Sequence, residues 1–346
     1  TLHLLTKEQK HELIELNLHA IKKAKQSIAF LDAVRFAQYA KDCLDENCWE
    51  NEYKLASNVY LELVDSLYLT AQYEEADKLY DYINAMIKND NDFLTLYNIQ
   101  AKQYHHQGRF KEAVDIGYKA MLVLGINLPK MQNELEILFD EEQIKIDNEL
   151  QSIPIETLYH KEDTQEIKLI QTLEIMFDMF VDGYLLGNSA LITAISAMMA
   201  RISIENKNNK MSSIAYINYA STLCAMGNDY QRGHEFGTIA VKLSQKYEVA
   251  ALQNYTYHVF ALSTNHWLKP LHTSYQYWNE ASKLSLASGS PYSGYVFLQL
   301  PHILLASGSP LLDVEEHAQK SMQFLTQSGL DVIALLLKLI VIPDKL

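Results

Sequence analysis

Apolar side chains recur every three or four residues along almost the whole chain. Val59, Leu63, Val64 and Leu67 fall on one side of a helix, as do Ile195, Met198, Met199 and Ile202. Period-two alternation bounded by turn residues is hard to find. The pattern therefore predicts an all-α protein.

The helices repeat. Three segments share a helix, a short break, an aromatic residue and then a helix rich in small residues. They are Tyr68-Leu69-Thr70-Ala71-Gln72-Tyr73-Glu74-Glu75-Ala76, Tyr104-His105-His106-Gln107-Gly108-Arg109-Phe110-Lys111-Glu112-Ala113, and Cys224-Ala225-Met226-Gly227-Asn228-Asp229-Tyr230-Gln231-Arg232-Gly233. In each, the aromatic (Tyr73, Phe110, Tyr230) lies three residues before a small one (Ala76, Ala113, Gly233). Small or apolar positions follow four and seven residues later: Tyr80 and Ile83, Gly117 and Ala120, Gly237 and Ala240. This register resembles that of tetratricopeptide (TPR) repeats. Two antiparallel helices approach closely only where one carries small side chains, and the aromatic beside the turn fills the wedge to the neighbouring pair. One pair cannot bury its apolar face alone, so copies stack. The expected architecture is a right-handed superhelix of TPR-like antiparallel hairpins, an α-solenoid.

Weaker copies extend the array. Phe30 precedes Ala33, Ala37 and Ala40; Asn188-Ser189-Ala190 precedes Ala194, Ala197 and Ala200; the His266–Pro270 break precedes Tyr275, Trp278 and Ala281; Gly308 and Pro310 separate a final pair. About eight hairpins of roughly 35–45 residues fill the length. The departure is the stretch from Met131 to Leu150, with seven acidic residues and one lysine, followed by a break at Ser152-Ile153-Pro154-Ile155. The expected organisation is N-terminal repeats over 1–128, an acidic helical insert and loop over 129–165, and C-terminal repeats over 166–346. Leu135, Leu138 and Phe139 at helical spacing favour packing of the insert over an acidic tail open to partners.

Composition narrows the function. Only 12 glycines and 7 prolines occur in 346 residues, too few for a turn-rich sandwich or barrel. The net charge of −14 disfavours binding to nucleic acid or anionic membranes, and the apolar run from Leu330 to Ile342 is too short to span a bilayer. Three cysteines (Cys43, Cys48, Cys224) with no CxxC pair argue against a disulfide framework and for a reducing, cytoplasmic location. The first residue is Thr1 and the last apolar run stops soon after it starts, so the chain reads as a piece of a longer protein.

No catalytic motif is present. GxxxxGK[ST], GxGxxG, HExxH, GxSxG and the kinase HRD and DFG elements are all missing, as is an aspartate-rich DDxxD. His105 and His106 are adjacent, and on a helix they point about 100° apart, which does not suit one metal. No metal or cofactor is expected, and an α-helical enzyme is the least supported reading. Recognition is the better supported one. In TPR-like hairpins the first helix lines the concave face. The register places Asn58, Leu61, Asp65 and Tyr68 there in one repeat; Thr95, Asn98, Lys102 and His105 in the next; and Ala215, Asn218, Thr222 and Ala225 in a later one. The candidate binding residues are thus Asn58, Asp65, Tyr68, Asn98, Lys102, His105, Asn218 and Thr222, a mixed polar set suited to a wet docking groove.

Further segments carry a broader resemblance: Asp45-Glu46-Asn47-Cys48-Trp49-Glu50 leading into Tyr53-Lys54-Leu55, Gln107–Val114 followed by Leu124-Gly125-Ile126-Asn127-Leu128-Pro129, Ile155-Glu156-Thr157-Leu158, and Gly227–Gly237. Together they resemble the TPR-like middle region of large bacterial signalling ATPases. Those proteins join a STAND/AAA-type NTPase, often after a Ser/Thr-kinase-like domain, to such a region, with GAF, histidine-kinase or other output domains following. The resemblance implies a non-catalytic regulatory scaffold whose partner is a neighbouring NTPase or output domain. It transfers no catalytic residue. A stand-alone adaptor for peptide or protein partners is the alternative.

Overall fold

The computed structural model describes residues 4–151, 153–226, 229–288, 293–328 and 330–341. Within these the fold is all-α, with a single isolated bridge between Asp163 and Asn208 in place of any strand. The chain divides into two compact units: residues 1–129 with 181–188, and residues 130–180 with 189–346.

The first unit contains α1 (Lys7–Gln26), α2 (Phe30–Cys43), the short α3 (Cys48–Asn51), α4 (Tyr53–Leu69), α5 (Tyr73–Met86), α6 (Asp90–His106) and α7 (Phe110–Val123). The second contains α8 (Gln132–Leu150), α9 (Ile167–Leu185, whose last turn belongs to the first unit), α10 (Ser189–Glu205), α11 (Ser212–Met226), α12 (Tyr230–Tyr247), α13 (Ala250–Ser263), α14 (Tyr275–Ser288), α15 (Ser293–Ala306), α16 (Leu311–Gln327) and α17 (Asp331–Val341). Consecutive helices pair as hairpins: α1 with α2, α4 with α5, α6 with α7, α11 with α12, α13 with α14, and α15 with α16. First helices also stack on first helices, α4 on α6, α11 on α13 and α15 on α17. Hairpins stacked in this way are the construction of an α-solenoid.

The repeat shows most clearly in its turns. Residues Ile28, Ala71, Gly108, Gly187 and Gly308 all have left-handed backbone, with φ of 59°, 56°, 71°, 68° and 76°. In each case the next amide donates to the carbonyl five residues back: Ala29 to Ala24, Gln72 to Leu67, Arg109 to Tyr104, Asn188 to Gly183 and Ser309 to Leu304, at 2.8–3.0 Å. This is the Schellman ending, which satisfies the last carbonyls of one helix and reverses the chain for the next. The corresponding turn of the third sequence match, Gly227-Asn228, lies outside the described residues.

The small-residue register is buried as expected. Ala33, Ala37 and Ala40, Ala76, Tyr80 and Ile83, Ala113 and Ala120, and Ala240 are each at most 3% exposed. A Cβ on Gly233 would lie 2.5 Å from Cys224 Sγ where α12 crosses α11, and one on Gly237 would lie 2.7 Å from the Phe260 ring where α12 meets α13. No larger side chain fits at either position without displacing a neighbour.

The acidic stretch forms α8, which packs along α10 inside the second unit. Leu135 is buried, and Leu138 and Phe139 are half-buried. Buried Glu142 anchors the helix by an ion pair to Arg201 of α10, and pairs at 2.8 Å with Lys145 one turn further along α8. Beyond α8, Lys161 donates its Nζ to the carbonyls of Ser203 and Ile204 at 2.9 and 2.5 Å, capping the end of α10. Burial lowers the pKa of this lysine.

Candidate functional site

On α4 and α6 the predicted row lies along the surface. Asn58, Thr95, Asn98 and Lys102 are exposed, while Asp65, Tyr68 and His105 are half-buried. Leu61 is an exception at 7% exposed, because it joins the apolar core of the first unit. The spacing of three and four residues holds these positions on one face of each helix, and α4 packs directly on α6. The structure therefore brings the first two sets together.

The third set differs. Asn218 is fully buried and Thr222 is 6% exposed, so neither is open to a partner, contrary to expectation. Asn218 Oδ1 accepts from the Tyr255 hydroxyl at 2.8 Å, and Thr222 shares a 2.9 Å hydrogen bond with Ser196. The physical reason is that α11 is enclosed by α10, α12 and α13. Its polar groups are used to tie helices to one another. Ala215 is likewise buried, and Ala225 is exposed at the helix end.

Within the first unit, polar side chains near the C-terminal ends of the first helices connect one hairpin to the next. Lys25 of α1 donates to Glu62 and Asp65 of α4, both at 2.5 Å. Tyr68 of α4 and His106 Nδ1 of α6 share a hydrogen bond of 2.9 Å, with their rings 5.6 Å apart. His105 Nδ1 lies 2.6 Å from Asp182 Oδ1, a carboxylate only 3% exposed. Lys25, Tyr68 and His105 each stand three residues before the left-handed residue of their turn, and they reach α4, α6 and the last turns of α9 respectively. Burial, with the neighbouring His105 second, lowers the pKa of His106 and favours its neutral form at pH 7. The sequence reading missed Lys25, Glu62, His106 and Asp182. The offset that Lys25 shares with Tyr68 and His105 is the signal that would have found it.

No group of three or more His, Cys, Asp or Glu among the described residues is arranged to hold a metal ion. His105 and His106 stand edge to face and turn to different partners. The three cysteines are buried thiols whose pKa is raised chiefly by burial, that of Cys224 to about 11, so they carry little thiolate at pH 7. No helix among the described residues is long and apolar enough to cross a membrane.

The fold and this surface define the class: an all-α array of helical hairpins. No family model matches the chain. Over 268 residues it is 25% identical to the hybrid signal transduction histidine kinase G of Dictyostelium discoideum. That match covers 69% of this chain and 8% of the kinase, so the chain spans a small fraction of the curated relative. Among solved structures it is similar to a Signal Transduction ATPase with Numerous Domains (STAND) protein with a tetratricopeptide repeat sensor from Pyrococcus horikoshii. There the TM-score is 0.37 and the identity 14%, with 94% of this chain and 55% of that chain covered.

Proposed function

We propose that this chain is a non-catalytic scaffold that holds a protein segment along the joined faces of α4 and α6, as the regulatory or sensing region of a larger signal-transduction protein. The observation that carries the proposal is the row Asn58, Asp65, Tyr68, Asn98, Lys102 and His105. These polar side chains lie at the surface on two helices packed side by side. Mixed polar faces of this kind bind through direct and water-bridged hydrogen bonds. The sequence likeness to part of a hybrid histidine kinase supports a place within a multidomain signalling chain, where other domains supply the NTPase or kinase chemistry.

The mechanism follows from linkage. A docked domain is restrained while it occupies the face, and a ligand or partner that binds the released state better shifts the population. The test is ATP turnover and autophosphorylation of the longer protein with and without residues 1–346, and with Asn98→Arg and Lys102→Glu together. Deletion and double variant are both expected to change the basal rate and blunt its response to signal. Rates and responses identical to the parent in both overturn the proposal.

A further inference from the structure

The first unit has a second surface feature, on the side of α4 away from the polar row. The second helices α2 and α5 flank α4 and leave a groove of about 440 Å³ between them. Its floor is Leu63 and Leu67, and its walls carry Val34, Leu79 and the exposed ring of Tyr39. Three cations, Arg35, Lys41 and Lys78, stand around it against a single acid, Glu75. Arg35 is paired with Asp32, whereas Lys41 and Lys78 make no ion pair among the described residues. In a chain of net charge −14, a cationic apolar groove stands out.

The same chain displays the complementary shape. The outer face of α8 presents Ile137 and Ile144, 57% and 60% exposed and two helical turns apart. Glu134, Asp140 and Glu141 lie on that face within three or four residues of them, all exposed and without an ion pair among the described residues. Buried Leu135, Glu142 and Ile146 hold α8 from its opposite side, so the helix is rigid and already formed.

We propose that the occupant of the α2–α5 groove is helix α8 of a second copy of this chain. Ile137 and Ile144 seat on the Leu63–Leu67 floor, and the α8 carboxylates meet Lys41 and Lys78. The two contacting surfaces are different patches, so the contact is head-to-tail and each bound pair leaves one groove and one α8 still open. Two isoleucines with surface ion pairs make a weak contact, with dissociation around 10–100 μM. Salt acts in both directions, screening the general repulsion of two acidic chains as well as the local attraction. Charge reversal is therefore the cleaner probe.

The experiment is sedimentation of the 346-residue chain from low to high micromolar concentration. Wild type is expected to grow through dimer to larger species. Lys41→Glu/Lys78→Glu and Ile137→Asp/Ile144→Asp are each expected to stay monomeric alone. An equimolar mixture of the two is expected to form dimer and stop there, because it holds one working groove and one working α8 per pair. All four positions are at the surface, and the helical circular dichroism of each variant checks that it folds. Lys78→Glu alone, expected to weaken association at least fivefold, serves if a double variant does not fold. A wild type that stays monomeric, variants that associate like wild type, or a mixture that does not dimerise each overturns the proposal.

Discussion

Helices α6 and α11 hold equivalent places as first helices of their hairpins, and the same register was read onto both. On α6 the row Thr95, Asn98, Lys102 reaches the surface; on α11 the row Ala215, Asn218, Thr222 is enclosed. The difference lies in what flanks the row. Helix α6 carries Asp90, Asp92 and Lys102, whereas α11, from Ser212 to Met226, carries no charged residue at all. Every residue from Met211 to Ala220 is buried. Repeat spacing tells which positions share a face. Only the charge around that face tells whether water or another helix covers it.

The contrast can be broken at its strongest point by an ion pair. Arg201 faces the buried carboxylate of Glu142 in the second unit, whereas Arg109 meets Asp77 in the first unit with both side chains over a third exposed. Arg201→Met is expected to cost about 3 kcal/mol, because it removes the principal partner of an enclosed charge. Arg109→Met is expected to cost less than about 1 kcal/mol. Urea unfolding of the two variants checks both values.

Acid separates the regions next. His258 is enclosed in the second unit with the Trp278 ring edge-on at 6.5 Å, and burial alone pushes its pKa down to about 4. The unfolded imidazole, near its ordinary 6.5, binds a proton that the fold refuses. Stability therefore falls as pH drops from about 6.5 to 4, by on the order of 3 kcal/mol, with no contribution above pH 7. His258→Phe should remove that part of the acid sensitivity, read as the difference in urea midpoint between pH 7 and pH 4.5. A variant as acid-sensitive as wild type would contradict the enclosed imidazole.

Smaller effects sharpen the same comparison. Asn218→Ala removes a buried acceptor from Tyr255 and is expected to cost about 1–2 kcal/mol, against less than about 0.5 kcal/mol for Asn98→Ala. At the turns the sign reverses. Ala71 adopts a left-handed backbone that favours glycine, so Ala71→Gly is expected to raise stability by up to about 1 kcal/mol. Thermal melts resolve that shift.

Much of the fold was legible because stacking dictates it. The aromatic-to-small spacing from Tyr73, Phe110 and Tyr230 located second helices that the structure places as read. Phe30 was placed by its alanines alone, since Ser27-Ile28-Ala29 makes the same turn with no glycine to announce it. The candidate site was legible only in part. Periodicity chose the face of α4 and α6, but Asp182 comes from α9, 77 residues beyond His105, and such a contact leaves no local trace in sequence. Burial of Asn218 and Thr222 was missed because their polarity was weighed without the charge-free stretch around them.

That charge-free stretch also limits how the molecule can be divided. Arrays of stacked hairpins tolerate removal of whole repeats where each cut uncovers a polar flank. A cut between α12 and α13 would instead bare the side of α11 that carries Asn218, whose partner Tyr255 lies on α13, with no charged residue on α11 to take its place. Shortened versions ending there should precipitate when expressed. The smallest well-behaved piece that retains α11 must also carry α10, α12 and α13.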